Sequence, residues 1–142
     1  MFMKKWLFVL MLLLGVGVWQ HQTVLTACAS FFTVNNPTRG ADAIIVLSGG
    51  AATRIPRGLE LYRSGYASQV FLTDEKRSMN PKFRKFFPTN AQLAEAIIAE
   101  LGMEMKTPVI PSLKGGATST FDEAYDVQTR AEAEGWRHLI LV

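Results

Sequence analysis

The chain has 142 residues, 49% of them hydrophobic, and a formal net charge of +3; that length suits one domain. Its single cysteine, Cys28, excludes an internal disulfide and a cysteine-based metal site, and neither His21 nor His138 has metal-ligand spacing around it, so no metal is expected. The basic residues cluster at Lys4–Lys5 and from Lys76 to Lys85 rather than along one long face, so no nucleic-acid partner is expected either.

Lys4 and Lys5 precede an uncharged apolar run, Trp6 to Val18, closed by Trp19 and the polar Gln20-His21-Gln22. This is the layout of a signal peptide or signal anchor over residues 1–22. The run is shorter than the ~20 residues of a full membrane crossing, although the second apolar patch, Thr23 to Val34, can extend a tilted anchor. The lysines hold the N-terminus in the cytoplasm and send the rest of the chain to the other side. Leu25-Thr26-Ala27-Cys28 has the shape of a bacterial lipobox, which makes Cys28 a lipidation candidate, and Ala27-Cys28-Ala29 equally suits signal cleavage. An uncleaved anchor ranks first, a lipoprotein second and a secreted protein third. The plainest reading of Cys28 is a small apolar residue near the membrane. Residues 23–40, with Asn35-Asn36-Pro37, read as a linker.

Ala43 to Leu47 is a short, β-branched apolar run, a strand buried on both faces. Ser48-Gly49-Gly50 ends it, and a helix follows with Pro56 expected near its first turn. Strand, glycine turn and helix make a phosphate cradle beyond the carboxyl ends of parallel strands, and Arg54 stands close enough to pair with an anion. The motif lacks the spacing of a dinucleotide fold or a P-loop. A tight turn without ligand remains the competing reading.

Ile55, Leu59 and Tyr62 form one helical stripe that Gly65 stops. Gln69 to Thr73 is a second strand, and Asp74-Glu75 closes it at the end of the sheet that carries Gly49-Gly50. Lys76 to Pro88 is a basic, aromatic loop. It suits a cover over that sheet edge, a contact with the membrane surface, or an ordinary loop with its Phe residues on the core. Thr89 to Gln92 matches a capping box and opens a helix with Leu93, Ile97, Ile98 and Leu101 on one face. Pro108 to Ile110 is a third strand. The loop Lys114 to Ser119 leads to a second capping box, Thr120 to Glu123, and a helix through Glu134; Leu139 to Val142 begins a fourth strand. Strands alternating with helices imply an α/β domain with a parallel sheet. Ending on a strand, the α/β domain, residues 41–142, is expected to lack its C-terminal part.

The segments Asp42 to Gly50, Arg54, Leu61 to Ala67 and Thr118 to Ala124, in this order behind an apolar N-terminus, resemble the YdcF/SanA/ElyC-like family. The resemblance implies a Rossmann-like three-layer domain, anchored in the bacterial inner membrane, facing the periplasm and serving envelope biogenesis through peptidoglycan precursors or lipid-linked sugars. Matched to its first motif are Asp42, Gly49, Gly50 and Arg54; matched to its second are Thr120 and Asp122 or Glu123. Two departures stand out: Asp74-Glu75 follows Thr73 where the family shows glycines, and Ser119 stands where Asn is common. The family's later Tyr-His-x-x-Arg-like stretch would come after Val142.

The expected function is binding of an anionic envelope precursor, phosphorylated or lipid-linked, by Asp42, Ser48, Gly49, Gly50, Arg54, Thr73, Asp74, Thr118, Ser119, Thr120, Asp122 and Glu123. No spacing selects a catalytic base among Asp42, Asp74 and Asp122, so catalysis and cofactor stay open. Two alternatives are a non-enzymatic envelope regulator or scaffold, and an S-adenosylmethionine or nucleotide binder.

Overall fold

The computed structural model describes the chain except for residues 1–4, 8–9, 12–14, 16–18, 33–34, 76–81 and 115–118. It divides into two units, Met1–Asn36 and Pro37–Val142.

In the first unit, helix α1 spans His21–Phe32 and carries Cys28, exposed and unbridged. The helix occupies most of the stretch expected as linker. Leu25, Ala27 and Ala29 favour helix, and the first strong breakers come only at Asn35-Asn36-Pro37. Among the described residues no helix is long and apolar enough to cross a membrane. Much of the run from Trp6 to Val18 lies outside them.

The second unit runs β1 (Ala43–Val46), α2 (Ala51–Arg63), β2 (Val70–Thr73), a 3-10 turn (Arg84–Phe86), α3 (Asn90–Glu100), β3 (Val109–Ile110), α4 (Thr120–Glu134) and β4 (Leu139–Leu141). The four strands form one sheet, all parallel, in the order β3-β2-β1-β4. Ile44 lies opposite Val70 on one side and Ile140 on the other; Thr73 lies opposite Ile110.

Both sheet faces are covered, which is why β1 is apolar without alternation. Ile44, Val46, Val70 and Leu72 pack with Ile55 and Leu59 of α2 and Ala94 and Ile98 of α3. Ala43, Ile45, Phe71 and Ile110 pack with Val127 of α4 and Trp136. The tightest approach is α2 on β1. A Cβ on Gly58 would stand 2.6 Å from Val46 Cγ2, closer than carbon atoms tolerate, so only glycine lets the helix sit there.

The expected stop signals Gly65, Gly102 and Gly135 do close the three helices. Three local expectations shift. Pro56, expected near the start of the helix, lies inside α2, in its second turn, because the helix begins directly at the glycine turn; it has no amide hydrogen to give to the carbonyl one turn back. Leu101, expected on the buried face of α3, is exposed, and Ala94 takes the inner position. The N-cap of α4 is Ser119, whose Oγ accepts the Asp122 amide at 3.2 Å; Thr120 is the first helical residue, one place later than the capping box requires.

Candidate functional site

The strand order reverses direction between β1 and β4, since β2 and β3 lie to one side of β1 and β4 to the other. Ligands of open parallel sheets sit at such a reversal, beyond the carboxyl ends of the strands. The turn Ser48-Gly49-Gly50 stands there.

That turn is held from below by three side chains. Ser48 donates its amide hydrogen to Glu123 Oε1 at 2.7 Å, and its carbonyl accepts from Asn90 Nδ2 at 3.2 Å. The Thr73 hydroxyl donates to the same Glu123 oxygen at 2.5 Å. Glu123 is only 5% exposed, and a buried carboxylate needs such partners to be tolerated. The shift of the α4 cap to Ser119 is what makes this possible. In a box capped by Thr120, Glu123 would reach back to its own helix; one residue further in, it turns to the sheet.

Above this support the turn is open. Gly49 and Gly50 are exposed, and Gly50, at φ +69°, caps α2 without a side-chain partner. Its carbonyl accepts the amides of Thr53 and Arg54. The amides of Gly49, Gly50, Ala51 and Ala52 donate to no group among the described residues. Arg54 folds back along the turn. One terminal nitrogen lies 3.6 Å from where a Cβ on Gly49 would stand, and its Nε lies 4.0 Å from the same point on Gly50. Arg54 is half-buried, and among the described residues its guanidinium makes no hydrogen bond or ion pair. A cation in the first turn of a helix opposes the helix dipole by about 0.3–1 kcal/mol, and α2 has no acidic residue there to offset it. The outer side of the turn is therefore a concentration of positive charge and free amide hydrogens.

Beside it, Thr73, Asp74, Glu75, Thr89 and Asn90 line a cavity of about 220 Å³ at the ends of β2 and β3. Asn90 links cavity and turn. Sequence reasoning missed this residue, because Thr89 and Gln92 already account for the start of α3; their reciprocal bonds measure 3.1 and 2.9 Å. The signal that would have found it is an amide side chain at the first position of a helix aimed at the sheet edge.

Of the residues expected to bind, Ser48, Gly49, Gly50, Arg54, Thr73 and Glu123 meet at this edge, and Asp74 joins them in the adjoining cavity. Ser119 is a cap, and Thr120 is exposed in the first turn of α4. Asp122 pairs with Lys114 Nζ at 3.0 Å. Thr118 lies outside the described residues. Asp42 does not belong to the site. It stands at the amino end of β1, where Oδ2 accepts the amides of His138 at 2.8 Å and Arg137 at 2.7 Å. These two bonds, His138 first, hold its carboxyl below the ordinary value of 3.8. Its work is to fasten the start of β4 to β1.

A third buried carboxylate, Asp126, accepts the Leu113 amide at 3.1 Å and so steadies the loop after β3. Among the described residues no three His, Cys, Asp or Glu side chains group as metal ligands. The arrangement can receive an anion on its outer side and offers a buried carboxylate on its inner side. No family model, no curated protein and no solved structure matches this chain.

Proposed function

We propose that Pro37–Val142 is a Rossmann-like domain of the YdcF/SanA/ElyC-like kind. It is held at the bacterial inner membrane by the N-terminal apolar segment and faces the periplasm. There it binds an anionic envelope precursor, a phosphorylated or lipid-linked sugar. The observation that carries this reading is Arg54, laid along an open glycine turn with no protein partner among the described residues.

Phosphate suits the site for two reasons. Free backbone amides at a helix start give an oxyanion several donors at once, and a guanidinium matches its geometry with paired hydrogen bonds. A ligand carrying a sulfonium cation, such as S-adenosylmethionine, meets repulsion from Arg54 instead. Glu123 fixes the turn from its buried side.

Calorimetric titration of the full chain with N-acetylglucosamine 1-phosphate and with N-acetylglucosamine tests the reading. It requires binding of the phosphorylated sugar at least about tenfold tighter. Equal binding, or none of either, overturns it.

A further inference from the structure

The 3-10 turn Arg84–Phe86 presents three aromatic rings to solvent: Phe83 is 54% exposed, Phe86 68% and Phe87 53%. Residues three apart eclipse on a 3-10 helix, so Phe83 and Phe86 share one side of the turn. Two backbone bonds close it, Phe86 donating to the Phe83 carbonyl at 3.0 Å and Phe87 to that of Arg84 at 3.2 Å. Lys82, Arg84 and Lys85 alternate with the rings in sequence, and no carboxylate occurs between Lys82 and Ala94. Lys85 Nζ sits 5.0 Å from the centre of the Phe86 ring.

We infer that this turn is a docking surface for an anionic bilayer. Aromatic rings enter the headgroup boundary while lysine and arginine stay in it and attract its negative charge. The two bonds inside the turn stay formed when it enters that boundary. Three rings within five residues make a compact wedge; a single nucleic-acid strand needs stacking rings spaced along a basic groove, and the net charge of only +3 is a weak field for one.

The turn lies on the carboxyl edge of the sheet. Three residues after Phe87, Asn90 bonds Ser48 at the glycine turn, which puts the wedge within about 10 Å of chain from the site's support. Other exposed apolar side chains cluster on that edge, Leu113 after β3 and Phe121 in the first turn of α4. Docked this way, the open side of the glycine turn meets the membrane surface, where a lipid-linked phosphate resides. The docking surface itself does not depend on the anion-binding reading.

The test uses the full chain in two labelled forms, both with Cys28→Ser. One carries Phe86→Cys with an environment-sensitive fluorophore; the other carries Glu100→Cys, at the exposed far end of α3. Each is reconstituted into vesicles of equimolar phosphatidylglycerol and phosphatidylcholine with a nitroxide-bearing lipid. Quenching at position 86 is expected to exceed that at position 100 by about fivefold. It is expected to fall to the position-100 level in pure phosphatidylcholine, and in Lys82→Gln/Arg84→Gln/Lys85→Gln. Equal quenching at both positions, insensitivity to lipid charge, or protection of position 86 by single-stranded DNA in place of vesicles overturns the inference. Free inorganic phosphate leaves the quenching unchanged, so failure of the anion-binding reading is read separately.

Discussion

Glu123 Oε1 accepts the amide hydrogen of Ser48 at 2.7 Å, so the first turn of α4 is tied to the loop that leaves β1. The same oxygen takes the Thr73 hydroxyl, which joins β2 to the pair. Three elements far apart in sequence thus share one acceptor at the edge where the ligand is proposed to sit.

This shared acceptor makes Glu123 and Thr73 energetically coupled. Glu123→Gln keeps the shape but weakens charge-assisted bonds, and is expected to cost about 1–2 kcal/mol. Thr73→Val removes one donor and is expected to cost about 1 kcal/mol. In urea unfolding the double variant should fall short of the sum by about 0.5–1 kcal/mol. Simple additivity would mean that the shared oxygen holds nothing together.

The register of the α4 cap can be read by substitution. Ser119→Ala should cost about 1 kcal/mol, because the Asp122 amide loses its acceptor. Thr120→Ala should stay within about 0.5 kcal/mol, since Thr120 is exposed and inside the helix. The reverse ranking in thermal unfolding would return the cap to Thr120 and free Glu123 for its own helix.

Gly58→Ala places a methyl group 2.6 Å from Val46 Cγ2. Helix propensity favours alanine by up to about 1 kcal/mol, but overpacking a closed core costs about 1–3 kcal/mol. Val46 is fully buried and β-branched, so it has little room to turn aside. A net loss of about 1–2 kcal/mol in chemical unfolding is expected; a gain would show that α2 can lift off β1.

Asp42 gives a pH signature. Its folded carboxyl titrates below the ordinary value of 3.8 because it accepts the amides of His138 and Arg137. Stability from this group is therefore complete above about pH 5, and is lost as the pH falls below 4 through the folded value. The melting temperatures of the wild type and Asp42→Asn should differ at neutral pH and converge in acid. A gap that widens in acid would contradict this assignment.

Much of the framework was legible because short β-branched runs alternate with striped, capped helices. Ala43 to Val46, with neighbours on both faces, could hardly read otherwise. The site was only partly legible. Asp42 and Ser48 belong to one contiguous segment, but the four residues of β1 lie between them and six extended steps separate them by about 20 Å, so a motif that groups them puts Asp42 at the wrong edge of the sheet. Thr118, Ser119 and Thr120 offer three successive hydroxyls, and propensity alone does not choose the cap. Asn90 was hidden because its neighbours already explained the helix start. In each case the deciding fact is which partner the fold brings close, and local pattern carries no information about that.

The central claim is that the turn after β1 receives an anion with Arg54 as its counter-charge. Binding of the phosphorylated sugar should be measured calorimetrically for the wild type, Arg54→Ala and Arg54→Lys, at low and raised salt. Affinity is expected to fall about 10- to 100-fold in Arg54→Ala, the worth of one charged hydrogen-bonding group. Arg54→Lys should recover part of it, and salt should weaken the wild type more than Arg54→Ala. If Arg54→Ala binds as tightly as the wild type, the anion is not received at this turn.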